Sequence, residues 1–345
     1  MINVGVYGAS GYTGQELLRI LLRHPETNVV ALTSRKFKGT PVAHVYPVFT
    51  DLTDMSYIDA SPRDVASMAD VVFLAVPHGE AMDVAPLFLK EGKKVIDLSA
   101  DYRLRDIGTY EAWYKNHTSS HLIQEAVYGL PELYRSDIMS ASLVANPGCY
   151  PTGVILGLAP ALKEGIVDTA TLIADSKSGV SGAGREAQLG TLFCEVNEGL
   201  KAYKIGTHRH TPEINQELSA LAEHEVNVSF IPHLVPTNRG ILTTMYATMK
   251  RTMSVAAIIE MYRTFYREEP FVRVYDEGVY PNIISVRGSN YCDIGVALDE
   301  RAGRLIIVTA IDNLVKGAAG QAIQNMNLMC GLPEEMGLNL ISLFP

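Results

Sequence analysis

Cys149 stands in the stretch Ala145-Asn146-Pro147-Gly148-Cys149-Tyr150-Pro151-Thr152-Gly153. Pro147, Gly148 and Pro151 make a rigid, sharply turning segment. Thr152 and Gly153 then open an apolar run, Val154 to Ala159, that reads as a helix. A thiol at a helix N-terminus faces unpaired backbone N–H groups and the positive end of the helix dipole, and both favour the nucleophilic thiolate. The other reading of such a residue is a buried structural cysteine. The motif alone leaves both open.

A second cluster of reactive types lies in Gly206-Thr207-His208-Arg209-His210-Thr211-Pro212-Glu213-Ile214. Thr211 and Pro212 read as N-cap and first residue of a helix running to about Glu223. His208 and His210, two apart on an extended segment, point the same way. An imidazole beside a thiol makes the pair that activates many cysteine nucleophiles. Glu213, in the first helical turn, either orients that imidazole or is a favourable charge at a helix start. A zinc site needs three or four ligands, and no matching cysteine or histidine spacing is present, so no metal is expected. Ser178-Gly179-Val180-Ser181-Gly182-Ala183-Gly184-Arg185 follows a strand and precedes an expected helix. Its backbone N–H groups and Arg185 suit an anion, and a flexible connector is the alternative.

At the N-terminus, Ile2 to Tyr7 reads as a strand, Gly8-Ala9-Ser10-Gly11-Tyr12-Thr13-Gly14 as a turn, and Gln15 to Arg23 as an amphipathic helix. Strand, glycine turn and helix together lay a pyrophosphate on a helix N-terminus. The spacing G-x-x-G-x-x-G differs from the common G-x-G-x-x-G fingerprint. The next strand, Asn28 to Leu32, ends in Thr33-Ser34-Arg35-Lys36, where an NAD site would carry a carboxylate for the ribose 2′-hydroxyl. A hydroxyl and two cations suit a 2′-phosphate instead, so NADP(H) is the expected cofactor; a solvated basic turn is the other reading.

These groups need two frameworks to hold them. Up to about residue 148 strands alternate with helices. The near-continuous apolar run Val71 to Val76 and the stretch Lys94 to Leu98 read as buried strands, separated by a helix over Glu80 to Lys90. That is an α/β Rossmann-type nucleotide-binding domain, with Pro77, His78, Ser99 and Arg103 at carboxyl ends of its strands. From about 149 to 312 the pattern becomes an α+β domain with a mainly antiparallel sheet. Its strands are expected at Thr171–Ser176, Val226–Ile231, Leu242–Met249, Tyr291–Leu298 and Arg304–Ala310, with a helix at Val255–Arg267. A final helix from Asn313 to about Met329 or 330, with small residues Gly317 to Gly320, is expected to return to the first domain.

At 345 residues with a net charge of -9 and four scattered cysteines, the chain has room for two cores and shows no disulfide or CxxC framework. Reduced thiols, no apolar run of about 18 residues and a strand in place of a signal segment lead to the expectation of a cytoplasmic enzyme. The acidic balance without a basic stripe speaks against nucleic acid. Neither a membrane nor a nucleic acid is expected as partner.

Taken in order along the chain, the glycine turn, Asp97 to Arg103, Tyr128 to Glu132, Asn146 to Thr152, Ser178 to Arg185, His208 to Ile214 and Asn313 to Ala322 resemble the semialdehyde dehydrogenase family, in its N-acetyl-γ-glutamyl-phosphate reductase branch. The resemblance implies NADPH-dependent reduction of N-acetylglutamyl 5-phosphate to the 5-semialdehyde, with phosphate release through a Cys149 thioester, in arginine biosynthesis. It implies His210 as general base and acid, His208 nearby and Glu213 behind. Gly8 to Gly14, Ser34, Arg35, Pro77, Ser178, Gly179 and Asn313 become cofactor candidates. Arg103, Asn146, Ser176 and Arg185 become candidates for the substrate carboxylate or phosphate. A homo-oligomer, dimer or tetramer, is implied. The N-acetyl-aminoadipyl phosphate and aspartate branches share the thiol logic, although the His-Arg-His segment speaks against the aspartate branch. A non-catalytic NADP-binding sensor would need neither Cys149 nor His210.

Overall fold

The opening apolar run forms β1, Ile2–Tyr7, which pairs in parallel with β2, Thr27–Leu32, on one side and β3, Val71–Leu74, on the other. The computed structural model describes residues 1–343. With β4 (Lys94–Asp97), β5 (Val127–Tyr128) and β6 (Leu143–Ala145) these strands make a parallel sheet of order β2-β1-β3-β4-β6-β5. Every residue of β3 is buried, as its unbroken apolar sequence requires of a strand covered on both faces. The order turns at β1, so the crevice past the carboxyl ends of β1 and β3 is where a ligand belongs in such a sheet. The glycine turn leaves β1 at that point and enters the helix Tyr12–Leu21, which buries Leu17, Leu18, Ile20 and Leu21.

The chain divides into two compact units. One takes Met1–Pro147 and Ala318–Asn339; the other takes Gly148–Gly317 and, of the described residues, 340–343. In the second unit the strands are β7 (Val167–Ser178), β8 (Lys201–Ala202), β9 (Ser229–Leu234), β10 (Ile241–Met249), β11 (Val272–Val274), β12 (Cys292–Asp299) and β13 (Arg304–Ile311). Their order is β11-β12-β13-β10-β7-β9-β8. The β11–β12 and β7–β9 pairs are parallel and the remaining neighbours antiparallel, so the sheet is mixed with a mainly antiparallel centre.

Against this sheet lies the helix Cys149–Lys163, buried along Tyr150 to Leu162. A helix apolar all round must be enclosed, and a neighbouring helix compensates this one for an internal proline. Pro160 has no N–H to give Leu156, and the Leu156 carbonyl instead accepts the Tyr266 hydroxyl at 2.5 Å. Tyr262 does the same for the Gly157 carbonyl at 2.8 Å. Both tyrosines come from the helix Val255–Phe265 and its C-terminal end.

Several expected boundaries move for physical reasons. The strand expected at Val226 begins at Ser229, because the Val226 and Val228 N–H groups are taken by Ser219 Oγ and Asn215 Oδ1 of the preceding helix. Thr211 is the first residue of the helix Thr211–Ala222 and His210 is its cap, with no side-chain capping bond. His208 and His210 sit on a tight turn and not on an extended segment. Ser178 to Arg185 itself holds a short turn at Val180–Ala183, and after it comes no full helix but a turn at Leu189–Thr191 and one helical turn at Phe193–Val196. The last helix is regular only over Gly320–Met329 and is preceded by a π-helical stretch, Val315–Ala319.

Candidate active site

Cys149 is the first residue of its helix, with Gly148 as an extended cap that offers no side chain. The helix start is therefore left to its backbone N–H groups, and a thiolate or an oxyanion there meets the positive end of the dipole. Pro151 adds no N–H, and Thr152 closes the first turn onto the Gly148 carbonyl with both its N–H, at 3.1 Å, and its hydroxyl, at 3.0 Å. The Gly148 N–H is held by the buried carboxylate of Glu213, whose Oε1 accepts at 2.7 Å. Glu213, expected behind a histidine, fixes the residue that caps the cysteine helix.

The two histidines converge on Tyr150, the neighbour of Cys149. The His208 ring lies 5.4 Å from Tyr150, 5.5 Å from Tyr203, 5.5 Å from Phe230 and 4.9 Å from His210, each edge to face. His210 lies 5.9 Å from Tyr150. The His208 Nδ1 accepts the His210 backbone N–H at 3.1 Å, so its proton belongs on Nε2. Burial first, then the Lys204 and Arg209 charges, push the His208 pKa down to about 4. His208 is therefore a neutral, caged ring at physiological pH. The Tyr150 and Tyr203 hydroxyls bond to each other at 3.0 Å. Burial raises both phenols, Tyr203 to about 12, and the nearby Cys149 charge adds to the rise, so both stay protonated.

The other candidates of this unit fall into separate places. Ser178 is buried and its hydroxyl bonds the Gly179 carbonyl at 3.0 Å. Asn313 ties the same region together: its Oδ1 accepts the Gly240 N–H at 2.8 Å and its Nδ2 donates to Ser181 Oγ at 2.9 Å. The cofactor expected at Asn313 meets an amide already engaged at both ends. The Ser176 hydroxyl, expected at the substrate, is paired with Thr243 across the sheet at 2.8 Å, and both residues are fully buried. Arg185 is exposed on the segment beyond the Val180–Ala183 turn.

In the first unit the glycine turn makes a sharp bend into an open helix start. Gly8 has φ +89°, and a side chain there would press on the Ala75 carbonyl. A Cβ on Gly11, the extended cap of the helix Tyr12–Leu21, would meet nothing within 4 Å, leaving that helix start open to an anion. Thr33 holds the turn through its hydroxyl to the Gly8 N–H at 2.9 Å and its carbonyl to Ala9. Ser34 Oγ donates to Ser10 Oγ at 2.9 Å, and Arg35 extends into solvent, 82% exposed. These residues fit a dinucleotide with a charged group on its ribose. One partner was not legible: Glu80 comes to within 3.0 Å of Arg35, placing a carboxylate near that position.

Pro77 sits on the loop after β3, and that loop is held by a residue the sequence had not singled out. Asp101, fully buried, accepts from the Gly79 N–H at 2.7 Å, the Met82 N–H at 3.1 Å and the Tyr110 hydroxyl at 2.8 Å. Its neighbour Asp97 is pushed up to about 7 by burial and by Asp101. Arg103 and Asn146 do come together, but on scaffold. Arg103 Nε donates to the Asn146 carbonyl at 2.7 Å and Nη2 to the Leu98 carbonyl at 2.9 Å. The Asn146 amide bonds the Ala318 carbonyl at 3.1 Å and Asn325 Nδ2 at 3.1 Å, so the group expected at the substrate is held at both its nitrogen and its oxygen. Among the described residues there is no cluster of three or more metal-ligating side chains and no helix long and apolar enough to cross a membrane.

Two family models match the chain: the semialdehyde dehydrogenase NAD binding domain over residues 3–141, and the semialdehyde dehydrogenase dimerisation domain over residues 149–313. A relative from Citrifermentans bemidjiense, N-acetyl-gamma-glutamyl-phosphate reductase, is 56% identical over the whole of both chains. Two solved structures share the fold. Aspartate semialdehyde dehydrogenase II of Vibrio cholerae, complexed with ASA, has a TM-score of 0.74 at 15% identity, covering 96% of this chain and 98% of that one. Aspartate semialdehyde dehydrogenase with NADP from Candida albicans has a TM-score of 0.73 at 18% identity, with the same coverage. The chain belongs to the semialdehyde dehydrogenase family, in the branch of the N-acetyl-gamma-glutamyl-phosphate reductases.

Proposed function

We propose that the protein reduces N-acetylglutamyl 5-phosphate to N-acetylglutamate 5-semialdehyde with release of phosphate, using NADPH. The observation that carries this reading is Cys149 as first residue of an enclosed helix, beside a histidine turn, in a chain 56% identical over its full length to a reductase of that name. His210 takes the Cys149 proton. The Cys149 sulfur then bonds the acyl carbon, the carbonyl π pair moving to oxygen; collapse of this tetrahedral oxyanion breaks the carbon–oxygen bond to phosphate, which leaves with the electron pair and the His210 proton. Backbone N–H groups at the helix start stabilise the oxyanion of each tetrahedral state. When bound, NADPH supplies the hydride that reduces the thioester. Collapse of the resulting oxyanion breaks the carbon–sulfur bond and returns the Cys149 thiolate, with one proton taken up per turnover.

The chain's own residues suit each partner. Gly8 to Gly14 suit the pyrophosphate, Ser34 and Arg35 the 2′-phosphate, and Pro77, on its Asp101-held loop, a wall of the cofactor site. Arg185, exposed and carried by the glycine-rich segment that follows β7, is the cation we assign to a substrate anion. The expectation of a homo-oligomer also finds support in the sheet of the second unit. Ile173, Tyr246 and Ile306 stand opposite one another across β7, β10 and β13, as do Asp175, Thr244 and Val308. These rows are only half-buried, while the alternate residues of the same strands are buried. A second copy of the chain is the occupant we assign to that face, giving a dimer.

The deciding experiment runs the reaction backwards. N-acetylglutamate semialdehyde, inorganic phosphate and NADP⁺ are mixed with the enzyme and NADPH absorbance is followed. Comparable rates with aspartate semialdehyde, or a clear preference for N-acetyl-aminoadipate semialdehyde, would replace the substrate named here. Cofactor binding without turnover of any of the three would leave only an NADP sensor.

A further inference from the structure

The last helix is entered by the π-helical stretch Val315–Ala319, and within it Gly317 lies against the reactive cysteine. A Cβ built on Gly317 would stand 2.8 Å from the Cys149 Cβ and 3.2 Å from its Cα. Two carbons of that kind ordinarily rest about 3.5–4.0 Å apart, so even one methyl group at position 317 forces either its own stretch or the first residue of the cysteine helix to shift. The stretch itself is pinned. Asp312, fully buried, accepts the Leu314 and Val315 N–H groups on Oδ1 at 2.8 and 3.2 Å. Its Oδ2 takes the Gly288 N–H at 2.7 Å and Arg239 at 3.1 Å, and its carbonyl takes the Gly317 N–H at 2.9 Å. π-helical insertions concentrate at functional positions because they re-aim a helix at one point.

One face of the cysteine helix is seated close on the sheet. Cys149, Gly153 and Gly157 are spaced at i, i+4 and i+8. A Cβ on Gly153 would meet Thr309 Oγ1 at 3.2 Å, and one on Gly157 would meet the end of Met245 and the Thr309 methyl. The helix is thus seated close on β10 and β13 by its two glycines, while its first residue is backed by Gly317. Resting on the reading of Cys149 as the nucleophile, we propose that Gly317, anchored by Asp312, is a positioning residue that sets where the Cys149 thiol stands. It does so by having no side chain.

The test compares Gly317→Ala with Gly157→Ala in the full-length enzyme. Three quantities are read: the thermal midpoint, the rate of Cys149 alkylation as a function of pH, and kcat and KM for the acyl phosphate or aldehyde. For Gly317→Ala we expect kcat to fall about ten- to a hundredfold, the scale of a misplacement near 1 Å. KM should stay within about threefold on the rule that a purely orientational loss appears in kcat. The alkylation pH profile should move. Gly157→Ala should lower the thermal midpoint and leave that profile in place. Asp312→Asn, which loosens the anchor and adds no atom at the contact, is the second variant and should move the profile in its turn.

An unchanged profile and kcat in Gly317→Ala would overturn the proposal. So would an equal movement of the profile in Gly157→Ala, since seating of the helix as a whole would then be the cause. Alkylation is read without turnover, so a failure of the nucleophile reading shows separately, as activity retained by Cys149→Ser.

Discussion

The Glu213 carboxylate accepts the Gly148 backbone N–H at 2.7 Å, so the first turn of the helix Thr211–Ala222 holds the cap of the helix that begins at Cys149. Both partners are buried, and a hydrogen bond to an ionised group is worth roughly 1.5–3 kcal/mol against about 1 kcal/mol for a neutral one. Glu213→Gln keeps the acceptor and loses the charge, and should slow Cys149 alkylation modestly. Glu213→Ala leaves the N–H unpaired and should lower the thermal midpoint and the alkylation rate further. Calorimetry and iodoacetamide kinetics check the order. Equal behaviour of the two variants would place the role of Glu213 in bulk alone.

Cys149→Ser is expected to lose several powers of ten in rate while binding NADPH as before. Serine keeps the shape but is far less ionised near neutral pH. Stopped-assay turnover and cofactor fluorescence separate the two effects. Retention of more than a few per cent of activity would remove the covalent step.

His210→Asn should lower kcat strongly and His208→Asn less, because His208 is caged by rings and spends its Nδ1 on the His210 backbone. A larger loss at His208 would reverse the assignment. His208 also makes a prediction for stability. Its pKa falls from an ordinary 6.5 to about 4 on folding, so between those values the unfolded chain binds the extra proton. Its contribution is therefore present above pH 6.5 and is lost as pH falls toward 4. Urea melts of the parent and of His208→Phe should differ in slope within that window; parallel curves would contradict the caged neutral ring.

Arg35→Ala should raise KM for NADPH roughly ten- to a hundredfold, the worth of one charge-assisted contact to a phosphate, with little change for NADH. The Arg35–Glu80 pair is exposed and holds Arg35 with only about 0–1 kcal/mol, so Glu80→Gln should leave KM for NADPH unchanged or lower it a few-fold. Steady-state kinetics with both cofactors decide. A parent enzyme that prefers NADH, or a variant that loses both cofactors alike, would put the adenosine end elsewhere.

Ile306→Asp with Val308→Asp should halve the particle mass if the half-buried sheet face carries the dimer. Light scattering behind size exclusion measures it. An unchanged mass in a folded double variant would assign the contact to another surface.

Local sequence was sufficient for much of this molecule. The strand, glycine turn and helix from Ile2 to Leu21 follow from residue types within one short window, as does the helix starting at Cys149, because caps, turns and apolar runs act over a few residues. The mainly antiparallel second sheet was legible in its spacing for the same reason. Side-chain partners were not, because they join residues far apart in the chain. Nothing near Ser176 announces Thr243, nor does Asn313 announce Gly240 and Ser181, and so polar residues that read as ligand contacts turned out to be tied to the scaffold. Glu80 beside Arg35, Tyr203 against His208 and Gly317 against Cys149 are likewise products of the tertiary structure. Sequence determined which chemistry the chain could carry; which groups remain available for it was decided by how folding spent the hydrogen bonds and the space around each one.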